Sequence, residues 1–69
     1  MKVYLKANFI RKKLIRKNMS QNVFAKRVGV SSGYMSQLMD GTRNPSPGCR
    51  QRLMDVFPEC RFEELFLIK

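Results

Sequence analysis

The sequence contains no histidine and no tryptophan, only two cysteines and only five acidic residues. Without histidine, a common zinc site would need more cysteines than Cys49 and Cys60, and these two lack CxxC spacing. We therefore expect two free, at least partly buried thiols and no metal or other cofactor. Histidine is also the most frequent general base in enzymes, and neither a Walker loop nor a GxSxG motif is present. The sequence predicts a protein that is not an enzyme.

Long apolar runs are also missing. No segment approaches membrane-spanning length, and the N-terminus lacks the apolar core and the small-residue cleavage site of a secretion signal. We therefore expect a cytoplasmic protein. A chain of 69 residues is expected to form one domain over residues 1–69. Its small core should give a stability of only about 3–5 kcal/mol.

Positive charge is what the chain has in excess, since 14 lysines and arginines give a net charge of +9. This excess predicts a polyanionic partner, but it does not by itself separate DNA from RNA or anionic lipid. The densest basic segment is RKKLIRK, on a helix predicted from Ala7 to Lys17 with Ile10 and Leu14 on its apolar side. The segment is either a solvated basic face or a phosphate-binding one. We expect a phosphate contact from at least one of Arg11, Lys12, Lys13, Arg16 and Lys17.

The stretch SQNVFAKRVGVSSGYMSQLMDG, from Ser20 to Gly41, contains two helix starts and two helix stops. Ser20 and Ser31 are well suited to cap the N-termini of a second and a third helix. Gly29 and Gly41 can adopt the positive φ that ends each of these helices. The pattern therefore predicts two short helices joined by a very tight turn, which is the arrangement of a helix-turn-helix.

The remaining elements are shorter. Ser46 and Pro47 predict an N-cap and first residue for a fourth helix, and a short last helix is expected from about Phe62 to Leu65. The chain ends, KVYLK and LFLIK, either pair as a small two-stranded sheet or form a frayed N-terminus and a longer last helix. The fold class is thus all-α, with five helices and possibly this small sheet.

The helix-turn-helix stretch and the following loop, DGTRNPS, together resemble the XRE family, the lambda-repressor-like domains of phage Cro and cI repressors and many small bacterial regulators. The resemblance covers roughly Ile10 to Leu65. It implies a compact five-helix domain whose third helix enters the major groove of double-stranded DNA.

The resemblance also implies which residues lie near DNA. Positions matching Ser32, Gly33 and Gln37 commonly face bases, and a glutamine can pair with N7 and N6 of adenine. Ser36 lies on the same polar side of the third helix by its spacing, unless it is simply solvated, and Ser31 has its helix cap as an alternative role. Positions near the sugar-phosphate backbone match Gln21, Ser31, Tyr34, Thr42, Arg43 and Asn44.

Two positions depart from the family pattern. Many members pair an arginine of the first helix with a glutamate of the third, and the matching residues here are Leu14 and Met39. We predict that these two side chains touch in the core, since an apolar contact can replace a buried ion pair. The second departure is Gly33, which removes a base-facing side chain and leaves the sequence preference open.

These observations predict a sequence-specific DNA-binding transcriptional regulator, a repressor, that binds double-stranded DNA as a homodimer. The segment Leu65 to Ile68 is the expected dimer face. One alternative is an accessory or antitoxin-like DNA-binding subunit that needs a protein partner. Another is a basic protein that binds RNA or membranes, although Tyr4 and Tyr34 are isolated and form no stacking platform.

Overall fold

A computed structural model describes all 69 residues and contains five helices and two short strands. None of the helices has the length and apolar character needed to cross a bilayer. The five helices and the sheet of the chain ends are confirmed. In chain order the elements are β1 (Val3–Leu5), α1 (Ala7–Arg16), α2 (Gln21–Val28), α3 (Ser32–Asp40), α4 (Pro47–Val56), α5 (Phe62–Leu65) and β2 (Phe66–Ile68).

The two chain ends form an antiparallel pair, in which Val3 lies opposite Ile68. Beyond the strands, Lys2 and Lys69 exchange two backbone hydrogen bonds of 2.8 and 2.9 Å. The alternative of a frayed N-terminus with a longer last helix is therefore wrong. The last helix stops at Leu65 because the chain turns extended at once, with φ −127° at the next residue, and satisfies its backbone groups in the sheet.

The core consists of 14 buried residues, all apolar, and no polar or charged residue is buried. The rings of Phe24 and Phe57 meet at its centre with their centroids 5.4 Å apart. Leu14 and Met39 are each 5% exposed and belong to this same cluster. Both side chains therefore lie in the core, and direct contact between them stays a prediction.

The helix-turn-helix boundaries follow from the predicted caps. The hydroxyl oxygen of Ser20 accepts a 3.1 Å hydrogen bond from the backbone N–H of Val23, and Ser31 caps α3 in the same way. Gly29 has φ +88° and Gly41 has φ +83°, both in the left-handed region. Both helices therefore start and stop at the residues whose side chains favour those conformations.

The predicted dimer face needs a correction. Leu65 and Phe66 are 0% and 2% exposed, because they complete the core of their own chain. They are therefore inaccessible to a second copy. Only Leu67 and Ile68, 42% and 49% exposed, present apolar surface in this segment.

The basic first helix carries one acidic partner. Glu59, just after α4, accepts from Nζ of Lys13 at 2.7 Å and lies 3.2 Å from Nζ of Lys17. The hydrogen bond from Lys13 is the largest cause that lowers the pKa of Glu59 from 4.5 to about 2. The same contact raises the pKa of Lys13. Two of the five residues expected to contact phosphate are therefore paired with a carboxylate of their own chain.

The ion pairs of Glu59 should make stability depend on acid pH. Because the pKa is depressed in the folded state, the contribution of Glu59 is complete above its ordinary value of 4.5 and is lost as pH falls through about 2. Glu59→Gln should therefore lower the melting temperature at pH 7, and the difference from wild type should vanish towards pH 2. Glu63→Gln, at an exposed carboxylate without an ion pair, is the control. A difference independent of pH would contradict this role.

Candidate nucleic-acid interface

Helices α2 and α3 are linked on their polar side as well as through the core. The amide Nε2 of Gln21, the first residue of α2, donates to the hydroxyl of Ser36 at 3.3 Å. Gln21 is half-buried, whereas Ser36 is exposed. The contact places the N-terminus of α2 beside the middle of α3, so that the free N–H groups of α2 and the polar side of α3 belong to one surface.

The two sides of α3 differ sharply. Met35 and Leu38 are 0% and 1% exposed and fix the helix on the core. The residues predicted to face the groove lie on the other side and are all exposed, as their spacing indicates. They are Ser32, Gly33, Ser36 and Gln37.

The fold of the chain does not require glycine at position 33. A Cβ built on Gly33 would meet no atom within 4 Å, and the residue does not have the positive φ of Gly29 and Gly41. Space beside α3 is therefore open at this point.

Ser31 acts as a helix cap. Its hydroxyl oxygen accepts from the backbone N–H of Tyr34 at 3.1 Å, which confirms the alternative role given to it by the sequence. The hydroxyl proton remains able to donate outward. Ser36 is likewise not merely solvated, because it accepts from Gln21.

The side chain of Arg43 contacts α3. Instead of extending from the loop, it folds back onto α3, where its Nε donates to Oε1 of Gln37 at 2.8 Å. Its backbone N–H donates to the backbone carbonyl of the same residue at 3.2 Å. Its guanidinium carbon lies 4.9 Å from the centre of the Tyr34 ring, within cation–π distance. Oε1 of Gln37 thus accepts one hydrogen bond inside the protein and keeps its second lone pair.

The neighbours of Arg43 are also held. Both the backbone N–H and the hydroxyl of Thr42 donate to Oδ1 of Asp40, and the hydroxyl bond is the largest cause that lowers the pKa of Asp40. The side-chain amide of Asn44 donates to the backbone carbonyl of Val3 at 3.0 Å. Hydrogen bonds thus hold the loop after α3 to the end of α3 on one side and to β1 on the other.

The sequence interpretation missed the contact between Arg43, Gln37 and Tyr34. A signal for part of it was present, because residues three apart on a helix share one face, and Tyr34 and Gln37 have that spacing. The return of the loop towards that face depends on the backbone bond from position 43 to position 37, which no local pattern specifies.

Most of the positive charge is uncompensated. Of the 14 lysines and arginines, only Lys13, Lys17 and Arg61 take part in ion pairs. On α1 this leaves Arg11, Lys12 and Arg16 exposed without an ion pair, and on α2 it leaves Lys26 and Arg27. The surface therefore keeps a strongly positive potential after folding.

Helices α2 and α3 are short and meet at a glycine turn, and α3 exposes a polar face beside the hydrogen-bonded loop. This arrangement defines a helix-turn-helix domain. The chain belongs to the HTH_3 helix-turn-helix family, of the XRE and Cro/cI type, whose model matches residues 10–65. The resemblance noted in the sequence is thereby confirmed over the same range. Comparison with curated proteins and with solved structures gave no significant match. Membership of this family implies DNA binding and a role in transcriptional regulation.

Proposed function

We propose that the protein is a sequence-specific transcriptional repressor that places α3 in the major groove of double-stranded DNA. The observation that carries this proposal is the exposed polar face of α3. Met35 and Leu38 pack the opposite side of the helix against the core, and the hydrogen-bonded loop after α3 borders the polar face. A rigid helix with short polar side chains can approach base edges closely. The net charge of +9 supplies attraction to the phosphates.

The proposed contacts divide into two groups. Gln21 and the N-terminus of α2 together offer N–H groups to one phosphate, an arrangement that favours anions. The other residues near the backbone are Ser31, Tyr34, Thr42, Arg43 and Asn44. The residues that face bases are Ser32, Gly33 and Gln37, with Ser36 between the groups. Gly33 lets α3 approach the bases without a side chain in between.

We take residues 1–69 to act as one cytoplasmic domain that binds DNA as a homodimer. Half-sites contacted by such a dimer lie about one helical turn, roughly 34 Å, apart. The exposed apolar pair Leu67 and Ile68 is the remaining candidate for the contact between copies. A basic RNA- or membrane-binding protein and an accessory subunit are the functions against which the proposal is tested.

Competition binding tests the proposal. A duplex selected from random DNA should displace labelled selected duplex at least roughly tenfold more effectively than random duplex, single-stranded RNA or anionic vesicles, because base contacts add to the phosphate contacts. Gln37→Ala should weaken this selected binding. Gln51→Ala, at an exposed glutamine of α4, should not.

Equal competition by all four competitors would contradict sequence-specific DNA binding. Stronger competition by RNA or by vesicles would favour the corresponding alternative. Selected binding only after addition of a partner from the source cell would favour the accessory subunit.

A further inference from the structure

Gln37 belongs to the proposed base-contacting face, and its amide oxygen Oε1 accepts a hydrogen bond from Arg43. Arg43 is bonded to Gln37 twice, through Nε to the side-chain Oε1 at 2.8 Å and through its backbone N–H to the main-chain carbonyl at 3.2 Å. The guanidinium is further held by the Tyr34 ring, 4.9 Å away. Three contacts thus position a side chain that would otherwise be free in the loop.

The orientation of the Gln37 amide follows from donor and acceptor chemistry. A guanidinium has only donors, so the amide atom that faces it must be the oxygen. The amide nitrogen Nε2 is then directed away from Arg43, and no group of the chain accepts from it. Gln37 therefore offers the two N–H donors of Nε2 and the second lone pair of Oε1, in an orientation set by Arg43.

We infer that Arg43 is a positioning residue for sequence preference, which orients Gln37 to donate to a base edge that offers acceptors. In the major groove Nε2, held in this orientation, can donate to an acceptor such as N7 of a purine, and the second lone pair of Oε1 can accept from N6 of adenine. The inference rests on the proposed function, since it names the base chemistry of the same site. It also gives Arg43 a role in specificity in addition to its expected place near the sugar-phosphate backbone.

The contact is exposed in the free protein, so water competes with it there. On DNA the same contact lies beside a surface from which water is excluded, and a hydrogen bond from a charged donor is stronger in such surroundings. A free glutamine can rotate its amide to present either atom. A glutamine bonded to Arg43 is expected to keep one orientation, with Oε1 towards Arg43 and Nε2 away from it.

The test compares base preferences among sites selected from random duplex DNA by the wild type and by exposed-surface variants. Gln37→Ala first identifies the base position, as the one at which preference is lost. At that position the wild type should favour one base pair by roughly tenfold. Arg43→Met, which keeps the length but removes the donors, should reduce this preference to less than about threefold. Arg52→Met removes the same charge from α4 and should retain the preference.

Gln37→Glu separates donor from acceptor chemistry, because glutamate keeps the acceptor and loses both donors. It should lose the wild-type preference as completely as Gln37→Ala. Retention of that preference by Gln37→Glu, or by Arg43→Met, would overturn the inference. Melting curves verify that each variant is folded. Selection of no site by the wild type would instead overturn the proposed function and the inference with it, so the two failures are distinguishable.

Discussion

Raising the salt concentration from 50 to 200 mM is expected to weaken the binding of duplex DNA by about 10³- to 10⁴-fold. Each lysine or arginine that neutralises a phosphate releases a counterion, and the logarithm of the affinity falls by about 0.9 per contact for each tenfold rise in salt. We expect about five to eight such contacts in a dimer, as a positively charged domain of this size can make. Titrations at several salt concentrations measure the slope directly.

The first helix provides an internal control for this prediction. Lys13 is occupied by Glu59 at 2.7 Å, whereas Arg16 is exposed without an ion pair. If α1 contacts phosphate, Arg16→Met should reduce the slope by about one per binding contact. Lys13→Met should reduce it less, because Lys13 already shares its charge with a carboxylate. A slope near zero for the wild type would contradict phosphate neutralisation as the source of affinity.

Leu14→Ala is expected to destabilise the protein by roughly 2–4 kcal/mol. Leu14 is 5% exposed in the 14-residue core, and its loss removes transfer free energy and leaves a cavity. A core of this size supplies a total stability of only about 3–5 kcal/mol. The variant should therefore keep only about 1 kcal/mol of stability, as measured by urea denaturation with helical circular dichroism.

Ile15 is the matched control for this substitution. It follows Leu14 on the same helix and has an aliphatic side chain of the same size, but it is 75% exposed. Ile15→Ala should change the free energy of unfolding by no more than about 0.5 kcal/mol. Equal effects of the two substitutions on the free energy of unfolding would contradict the placement of Leu14 in the core.

Much of the fold could be predicted because its boundaries are set by nearby residues. Ser20 and Ser31 each cap a helix with a hydroxyl that reaches a backbone N–H three residues on, and Gly29 ends α2 through its own φ. Such signals need only a few neighbouring residues. The short last helix, Phe62–Leu65, was also predicted from nearby residues. Pro58 interrupts the helix before it, and apolar residues at helical spacing follow.

The parts that could not be predicted depend on residues far apart in the chain. The bond from Asn44 to Val3 spans 41 positions, and the contact of Lys17 with Glu59 spans 42. The burial of Leu65 and Phe66 was not predicted, because composition cannot tell whether such residues pack inward or outward. The orientation of the Gln37 amide depends on the path of the Arg43 loop, so the contact between the two side chains could not be predicted from family position.

The central claim is that α3 and the loop after it form the DNA-binding surface. The most direct measurement is a titration of isotope-labelled protein with a selected duplex, in which the backbone amide chemical shifts are followed residue by residue. We expect the largest changes at Gln21, in α3 from Ser32 to Gln37 and at positions 42–44, with smaller changes in α4 and β2. Largest changes in α4 or β2, with α3 unaffected, would contradict this account.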